Sequence, residues 1–128
     1  MPSTSAKSVL SLGQCAADNF ALNQFLVTGF DVQVTEADTA AEALERLRAT
    51  PVDLVLVNRI FDVDGDSGLD FISRLKAEQE MATIPVMLVS NHAEAQKQAV
   101  TRGALPGFGK AQLADAKTMD LVKAALQV

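Results

Sequence analysis

Short apolar runs rich in β-branched residues alternate with helical patterns along this chain, and that alternation constrains the fold more than any other feature. The runs 8–13, 52–57 and 84–89 are apolar almost throughout, which is typical of strands buried on both faces of a parallel sheet. Segment 31–35 alternates apolar and polar residues, which indicates a strand nearer the sheet edge. Segment 105–108 predicts a fifth strand, interrupted by its proline and glycine.

Helical patterns fill the segments between these strands. Thr39–Glu42 has the form of a capping box, and Ser67 is placed to cap a further helix. Segment 94–102 predicts a short helix that Gly103 ends, and a last helix is predicted over about 113–126. The side chains predicted to face the core are Ala40, Ala43, Leu44 and Leu47, then Leu69, Ile72 and Leu75 with Phe71 beside them, and finally Met119, Val122 and Leu126.

A βα unit repeated five times predicts an α/β chain of flavodoxin-like fold, a doubly wound five-stranded parallel sheet with helices on both faces. Since no linker, repeat or low-complexity tract interrupts the pattern, we expect a single domain over 1–128 with its core at about 8–126. Sheets of this kind place ligand sites beyond the carboxyl ends of their strands. The sequence therefore predicts a site near 13–14, 58–66, 90–92 and 109–110.

Composition excludes several classes of protein. The 128 residues carry a formal net charge of −5, most of it from four aspartates in 62–70, which disfavours nucleic acid as a partner. No apolar run approaches the roughly 18 residues of a membrane span, and the N-terminus lacks a secretory signal, so we expect no membrane partner and a cytoplasmic location. The only cysteine, Cys15, excludes an internal disulfide and is expected to be a quiet, semi-buried thiol.

Three stretches, Pro51–Asn58, Ile84–Ser90 and Arg102–Lys110, resemble the receiver domain of two-component response regulators. They are similar to the family's third strand, which ends at the phosphoacceptor; to its fourth strand, which ends in a switch Ser or Thr; and to the stretch that ends in its lysine. The resemblance covers about 9–126. It implies transfer of a phosphoryl group from a histidine kinase to an aspartate, assisted by Mg²⁺ on an acidic pair of the first strand.

The sequence departs from the receiver pattern at the residues that this chemistry needs. The acceptor position holds Asn58, whose uncharged amide cannot form an acyl phosphate, and Gly13 and Gln14 replace the acidic pair. The switch-aromatic region reads Gly107 and then Phe108. We therefore predict a degenerate receiver, or pseudo-receiver, that is not phosphorylated at Asn58, is not an enzyme, and has no catalytic residues.

Lys110 survives from the family pattern and needs a partner if its ammonium group is to leave water. The first interpretation is that the amide oxygens of Asn58 and Gln14 accept its hydrogen bonds. The second is that a pocket without acids attracts an anion to Lys110. The third is an ion pair with Asp62 or Asp64.

Four other polar residues near the predicted strand ends have simpler interpretations. Asp18 and Asp31 are expected to be too far along the chain to replace the missing acids. Ser90, once the switch hydroxyl, is expected to cap the next helix or to bind a backbone group. His92 is expected to be a surface loop residue rather than a ligand or a base.

The acidic segment after the third strand has carboxylates at the spacing of a calcium loop. Ser67 stands where such a loop has its sharp-turn glycine, and Ser73 stands where it has its bidentate glutamate. A solvated loop, Ca²⁺ or Mg²⁺ binding, and recognition of a basic partner all remain open. The carboxylates concerned are those of Asp62, Asp64, Asp66 and Asp70.

These observations predict a signalling module that acts by protein–protein interaction with a signalling component or an output domain. In receivers the fourth helix, fifth strand and fifth helix form the usual output and dimer surface, and by resemblance this surface is about 93–128. We expect no cofactor. The alternatives are an ion- or anion-binding switch that uses Lys110 or the 62–70 loop, and a receiver that is phosphorylated at Asp62 or Asp64.

Overall fold

A computed structural model describes residues 6–128, in which five parallel strands form one sheet. The strands are Lys7–Leu12 (β1), Val32–Ala37 (β2), Leu54–Asn58 (β3), Val86–Val89 (β4) and Leu105–Phe108 (β5), and their order in the sheet is β2-β1-β3-β4-β5. The helices are Ala16–Gly29 (α1), Ala40–Ala49 (α2), Gly68–Ala77 (α3), Ala93–Thr101 (α4) and Ala116–Leu126 (α5). The predicted flavodoxin-like fold is confirmed.

Successive side chains of the central strands point to opposite faces of the sheet, so each face carries its own apolar cluster. One cluster lies under α2, α3 and α4 and the other lies under α1 and α5. The strand residues of the first are Leu10, Leu12, Ala37, Val55, Val57, Val86 and Leu88, and those of the second are Val9, Val32, Leu54, Leu56, Met87, Val89 and Phe108. The continuous apolar runs in the sequence therefore reflect burial on both faces.

The predicted helix starts at Thr39 and Ser67 are confirmed. The Thr39 hydroxyl accepts a hydrogen bond from the Glu42 amide (3.1 Å), and the Glu42 carboxylate accepts one from the Asp38 amide (2.7 Å). The Ser67 hydroxyl accepts from the Asp70 amide (3.2 Å). These contacts satisfy amides that the first helical turn leaves without a partner.

Several predicted element bounds are wrong by one to three residues. β1 ends at Leu12 because Gly13 leaves the strand with a φ of +79°. β4 begins only after Pro85, which has no N–H to donate to a neighbouring strand. The last helix begins at Ala116, after a short 3₁₀ turn at Lys110–Gln112, so 113–115 is not helical.

The remaining corrections concern β2 and one helix side chain, whereas β5 has its predicted bounds, 105–108. β2 extends to Ala37. β5 pairs with β4 through a register shift, as expected for a strand that contains Pro106. Met119, predicted to face inward, is 36% exposed and lies over Gly29 at the margin of α5. Within residues 6–128, no helix has the length and apolar character needed to cross a membrane.

Candidate functional site

The carboxyl ends of four strands bring the predicted pocket residues to one edge of the sheet. Gly13 and Gln14 follow β1, Asn58 ends β3, Ser90 follows β4 and Lys110 follows β5. A cavity of about 180 Å³ lies at this edge and is lined in part by Asn58, Ser90 and Lys110. The position of the site is that expected for a doubly wound sheet.

The Asn58 side chain uses both polar ends of its amide. Its Nδ2 donates to the backbone carbonyl oxygens of Gly13 (2.9 Å) and Ile60 (2.7 Å). Its Oδ1 accepts from the Lys110 ammonium at 3.3 Å. A carboxylate at this position has no N–H to donate and would face two carbonyl oxygens instead. The side chain therefore ties the end of β1 to the loop after β3.

The principal partner of Lys110 is Asp18, in the first turn of α1. The Lys110 Nζ lies 2.6 Å from Asp18 Oδ2, with both side chains about one-third exposed. This hydrogen bond from Lys110 holds the pKa of the Asp18 carboxyl below its ordinary value, against the opposing effect of burial, and a hydrogen bond from Cys15 adds to the lowering. Lys110 and Asp18 thus neutralise each other at the pocket.

This pairing corrects two sequence-based interpretations. Asn58 does accept a hydrogen bond from Lys110, but Gln14 does not, and the alternative of an ion pair with Asp62 or Asp64 is wrong because Asp18 supplies the carboxylate. Asp18 was expected to be too far along the chain to replace the missing acids, and no interpretation paired it with Lys110. However, α1 begins directly after the end of β1, and its first turn brings Asp18 back over the strand ends. The start of that helix was the signal that sequence reasoning overlooked.

Phe61 fills the space beside Gly13 where a first-strand acid would project. A Cβ atom built on Gly13 would lie 2.3 Å from Phe61 Cδ1, and the Phe61 ring is fully buried. The Asp62 amide also donates to the Gly13 carbonyl oxygen at 3.0 Å, which fastens the loop after β3 onto the end of β1. The loop after β3 therefore places an aromatic ring in this space, a role of Phe61 that sequence reasoning missed.

Gln14 differs from Asn58 in its bonding. Its side chain is 3% exposed, yet neither Oε1 nor Nε2 has a hydrogen-bond partner among the residues that the structure describes. Its backbone oxygen is close to Asn19 Nδ2 (3.4 Å), and Asn19 Oδ1 accepts from the Ser11 hydroxyl (2.8 Å). Leaving a buried polar group without a partner costs about 1–3 kcal/mol.

Ser90 and His92 arrange the start of α4. The Ser90 hydroxyl accepts from the His92 amide at 3.1 Å, which confirms that Ser90 binds a backbone group. His92 is exposed, as expected, and its Nδ1 also accepts from the Ala95 amide at 3.3 Å as the N-terminal cap of α4. Both residues have structural roles in this arrangement.

Gln96 of α4 occupies the switch-aromatic region. Its Nε2 lies within hydrogen-bonding distance of three backbone oxygens, those of Leu88 (2.9 Å), Ser90 (3.0 Å) and Phe108 (3.3 Å). A Cβ atom on Gly107 would lie 2.1 Å from the Leu88 oxygen and 2.8 Å from Gln96 Oε1. The Gln96 side chain therefore links β4 to β5 by hydrogen bonds. A bulkier residue at position 107 would collide with Gln96 and with the Leu88 oxygen.

Phe108 lies on the opposite face of the sheet from α4. It is 2% exposed, belongs to the cluster under α1 and α5, and its ring centroid lies 6.1 Å from that of Phe25. Adjacent strand residues point to opposite faces, so Phe108 cannot serve in place of an aromatic at 107. The ring is a core residue.

The carboxylates of the 62–70 loop do not converge. Asp64 accepts from the Asp66 amide (3.0 Å), and Asp70 pairs at the surface with Arg102, which directly follows α4 (3.0 Å). In the described part of the chain, no three His, Cys, Asp or Glu side chains form a group that could hold a metal ion. The Asp18 carboxylate in the pocket is already bound to Lys110, so the donor set does not fit Mg²⁺.

Comparison with known proteins places this geometry in context. Residues 17–120 match the family model described as the response regulator receiver domain. Among solved structures, the signal receiver domain of a DNA-binding response regulator from Colwellia psychrerythraea 34H is 22% identical, with 95% of this chain and 99% of that chain covered and a TM-score of 0.78.

Two further solved structures are similar. A response regulator from Thermotoga maritima is 21% identical, with 96% of this chain and 99% of that chain covered and a TM-score of 0.77. NtrX from Brucella abortus is 22% identical with a TM-score of 0.78, and the match covers 95% of this chain but 27% of that longer one. At these identities the solved structures establish the fold alone, whereas the family model matches most of the chain.

Proposed function

Since the chain belongs to the response regulator receiver domain family and is a two-component signalling module, we propose that it works by binding a protein partner and is not phosphorylated at Asn58. The observation that carries this proposal is the hydrogen bonding at the pocket. Lys110 donates to both Asp18 and Asn58, and the Asn58 amide also donates to two backbone oxygens. Membership of a two-component signalling family also supports the cytoplasmic location that the sequence predicts.

The chemistry of phosphoryl transfer explains why these bonds matter. A nucleophile must offer a negatively charged oxygen to phosphorus, and the Asn58 amide oxygen is uncharged and already accepts from Lys110. A transferred phosphoryl group also needs nearby positive charge, but Asp18 neutralises the ammonium group that would provide it. Nucleophile and electrostatic stabilisation are both missing from the site.

Intact mass spectrometry after incubation with acetyl phosphate and Mg²⁺ tests the proposal. The wild-type chain should gain no adduct of about 80 Da, the mass of one phosphoryl group. The Asn58→Asp variant should also gain none, because Gly13 and Gln14 still provide no carboxylate, while a phosphorylatable receiver treated in parallel shows that the reagent is active. A wild-type adduct that disappears in Asn58→Leu would overturn the proposal.

An adduct that maps to Asp62 or Asp64 would instead support the displaced-acid alternative. Both carboxylates are exposed, and the Lys110 ammonium group is bound to Asp18 and Asn58 rather than to either of them, so we expect no modified peptide from this loop. The Asp62→Asn and Asp64→Asn variants would identify the acceptor if one exists. The anion-binding alternative gains no support from Lys110, whose charge Asp18 already neutralises.

We assign the partner surface to the α4–β5–α5 face, within 93–128. The exposed apolar side chains of this face include Val100 on α4 (45% exposed) and Leu105 on β5 (39% exposed). Exposed apolar side chains on a regulatory fold are the groups that a partner would cover. Phe20 on α1, 68% exposed, provides a matched position on another face.

Sedimentation equilibrium tests the homodimer form of this assignment. We expect Val100→Asp and Leu105→Asp each to weaken self-association about tenfold or more, because each places a charge in a buried contact, whereas Phe20→Asp leaves it unchanged. If Phe20→Asp weakened self-association and the other two variants did not, the interface would lie on α1. A wild-type chain that stays monomeric at millimolar concentration would remove the homodimer from the proposal.

A further inference from the structure

We propose that a small amphipathic carboxylate, a molecule with one carboxylate group and an aliphatic tail, binds in a cavity at the amino ends of the strands. The cavity has a volume of about 510 Å³ and lies between the starts of β1 and β2 and the ends of α1 and α5. Cavities of this size are typical of sites for small molecules. The site goes beyond the proposed function, since it lies at the opposite edge of the sheet from Asn58 and needs no protein partner.

Two lysines supply the charge that selects an anion. Lys7, at the start of β1, and Lys123, in the last turn of α5, both line the cavity. Within residues 6–128, neither ammonium group forms a salt bridge. The acid in the lining, Asp31, already makes an interaction of its own, and two lysines with one aspartate leave the lining a net charge of +1. A carboxylate bound here is attracted by two cations that the described fold leaves unpaired.

The helix ends at the cavity oppose an anion only in part. The carboxyl end of a helix carries partial negative charge from carbonyl groups that have no partner within the helix. At the end of α1, the Phe30 amide donates to the Leu26 carbonyl oxygen (2.9 Å), and at the end of α5 the Gln127 amide donates to the Ala124 carbonyl oxygen (3.2 Å). These bonds satisfy carbonyl groups at both helix ends and so lower the repulsion that an anion would meet.

Apolar side chains in the lining fit an aliphatic tail. Val32 and Leu126 are buried, whereas Met119 and Val128 are exposed. A tail packed against these four side chains removes apolar surface of both ligand and protein from water. Met119 is also unbranched and flexible, so its side chain can adapt to the shape of the tail. An anion without a tail would use the lysines and leave this surface wet.

Titration with sodium octanoate, followed by ¹H–¹⁵N NMR, tests the site. We expect saturable shifts of the backbone amide signals of Phe30, Val32 and Leu126. Octylammonium chloride has the same tail with the opposite charge, and sodium acetate has the same charge without the tail. Each should bind at least about tenfold more weakly than octanoate.

Two pairs of variants test the charge of the lining. Lys123→Gln should weaken octanoate binding about fivefold, because it removes one of the two cations. Lys117→Gln, which alters an exposed lysine of α5 outside the lining, should leave binding unchanged. Val128→Asp places a carboxylate in the lining and should also weaken binding, whereas Ala124→Asp places the same charge outside it. Val128 and Ala124 are both exposed, so the fold should tolerate either change.

Several results would overturn the proposal. They are equal responses to octanoate and octylammonium, equal effects of Lys123→Gln and Lys117→Gln, and the absence of a saturable shift with octanoate at millimolar concentration. Sedimentation equilibrium of the same variants tests another occupant. If Val128→Asp lowered self-association and octanoate produced no shift, the cavity would be an interface between copies of this chain.

Discussion

Asn58 and Gln14 are two amides at neighbouring strand ends, at positions where the resemblance to receivers implies acids, and their surroundings differ completely. Asn58 donates to two backbone oxygens and accepts from Lys110, so its amide is fully used. Gln14 is more deeply buried and finds no side-chain partner among the described residues. The hydrogen bonding of an amide at such a position therefore depends on the groups that surround it.

The difference lies in what surrounds each amide. The end of β1 and the loop after β3 direct carbonyl oxygens at Asn58, so an N–H is the group that stabilises this loop. Gln14 instead borders a cavity lined mostly by aliphatic groups and by an ion pair that is already formed. We infer that Asn58 is a structural tie and that the Gln14 side chain contributes no hydrogen bond to the described part of the fold.

The largest expected effect concerns Gly13, whose carbonyl oxygen accepts from Asn58. Gly13→Ala should destabilise the fold by about 2–5 kcal/mol, since it adds left-handed strain at φ +79° to a collision with the Phe61 ring. Gly65→Ala is the matched control: its φ is +74° but no atom lies within 4 Å of the added Cβ. Urea unfolding should show about 1–2 kcal/mol for Gly65→Ala, and equal losses in the two variants would contradict a role for Phe61.

Asn58→Leu should destabilise the fold by about 2–3 kcal/mol, because two carbonyl oxygens and Lys110 each lose a hydrogen-bond partner. The same urea titration measures the loss. Asn58→Asp should also be less stable than wild type at neutral pH, because its oxygens cannot donate. An Asn58→Leu variant as stable as wild type would show that the hydrogen bonds of Asn58 do not stabilise the fold.

Asp18→Asn should cost about 0.5–1 kcal/mol at neutral pH, a modest amount because the pair with Lys110 is partly exposed. The pKa of the Asp18 carboxyl is lower in the fold than its ordinary value of 3.8, so the contribution is present above that value. It is lost as the pH falls through the lower, folded-state pKa. Thermal unfolding of wild type and variant should therefore converge in acid, and a difference that persists unchanged there would contradict the ion pair.

Gln14→Leu should show the smallest effect, within about 0.5 kcal/mol of wild type or slightly stabilising, since it removes two buried polar groups that have no partner. Chemical unfolding in buffer without added ligand is the measurement. A loss as large as that of Asn58→Leu would mean that Gln14 makes bonds of equal value, and the contrast between the two amides would disappear.

Periodicity was sufficient to predict the fold. Continuous apolar runs such as 52–57 indicated strands covered on both faces. The helix caps at Thr39 and Ser67 could be predicted because each cap bonds an amide three residues away. Bounds were less predictable where a single backbone property ends an element, as at Gly13 and Pro85. The predicted strand ends also brought Asn58, Ser90 and Lys110 to one edge of the sheet, as the structure shows.

The contacts within the site were less predictable because they join distant parts of the chain. Lys110 and Asp18 are 92 residues apart, and only the fold shows that the first turn of α1 faces the lysine. Phe61 and Gln96 occupy the spaces beside Gly13 and Gly107. No sequence pattern shows which side chain will fill the space beside a glycine. An amide in the sequence likewise does not reveal whether its bonds will be satisfied.

Beryllofluoride, a mimic of a bound phosphoryl group, provides the most direct test of the closed pocket. Titration with beryllofluoride and Mg²⁺, followed by ¹H–¹⁵N NMR, should leave the signals of Asn58 and its neighbours in place, because residue 58 is an amide and the Asp18 carboxylate in the pocket is bound to Lys110. Saturable shifts at the ends of β1 and β3, together with loss of the Lys110–Asp18 contact, would contradict this view of the site.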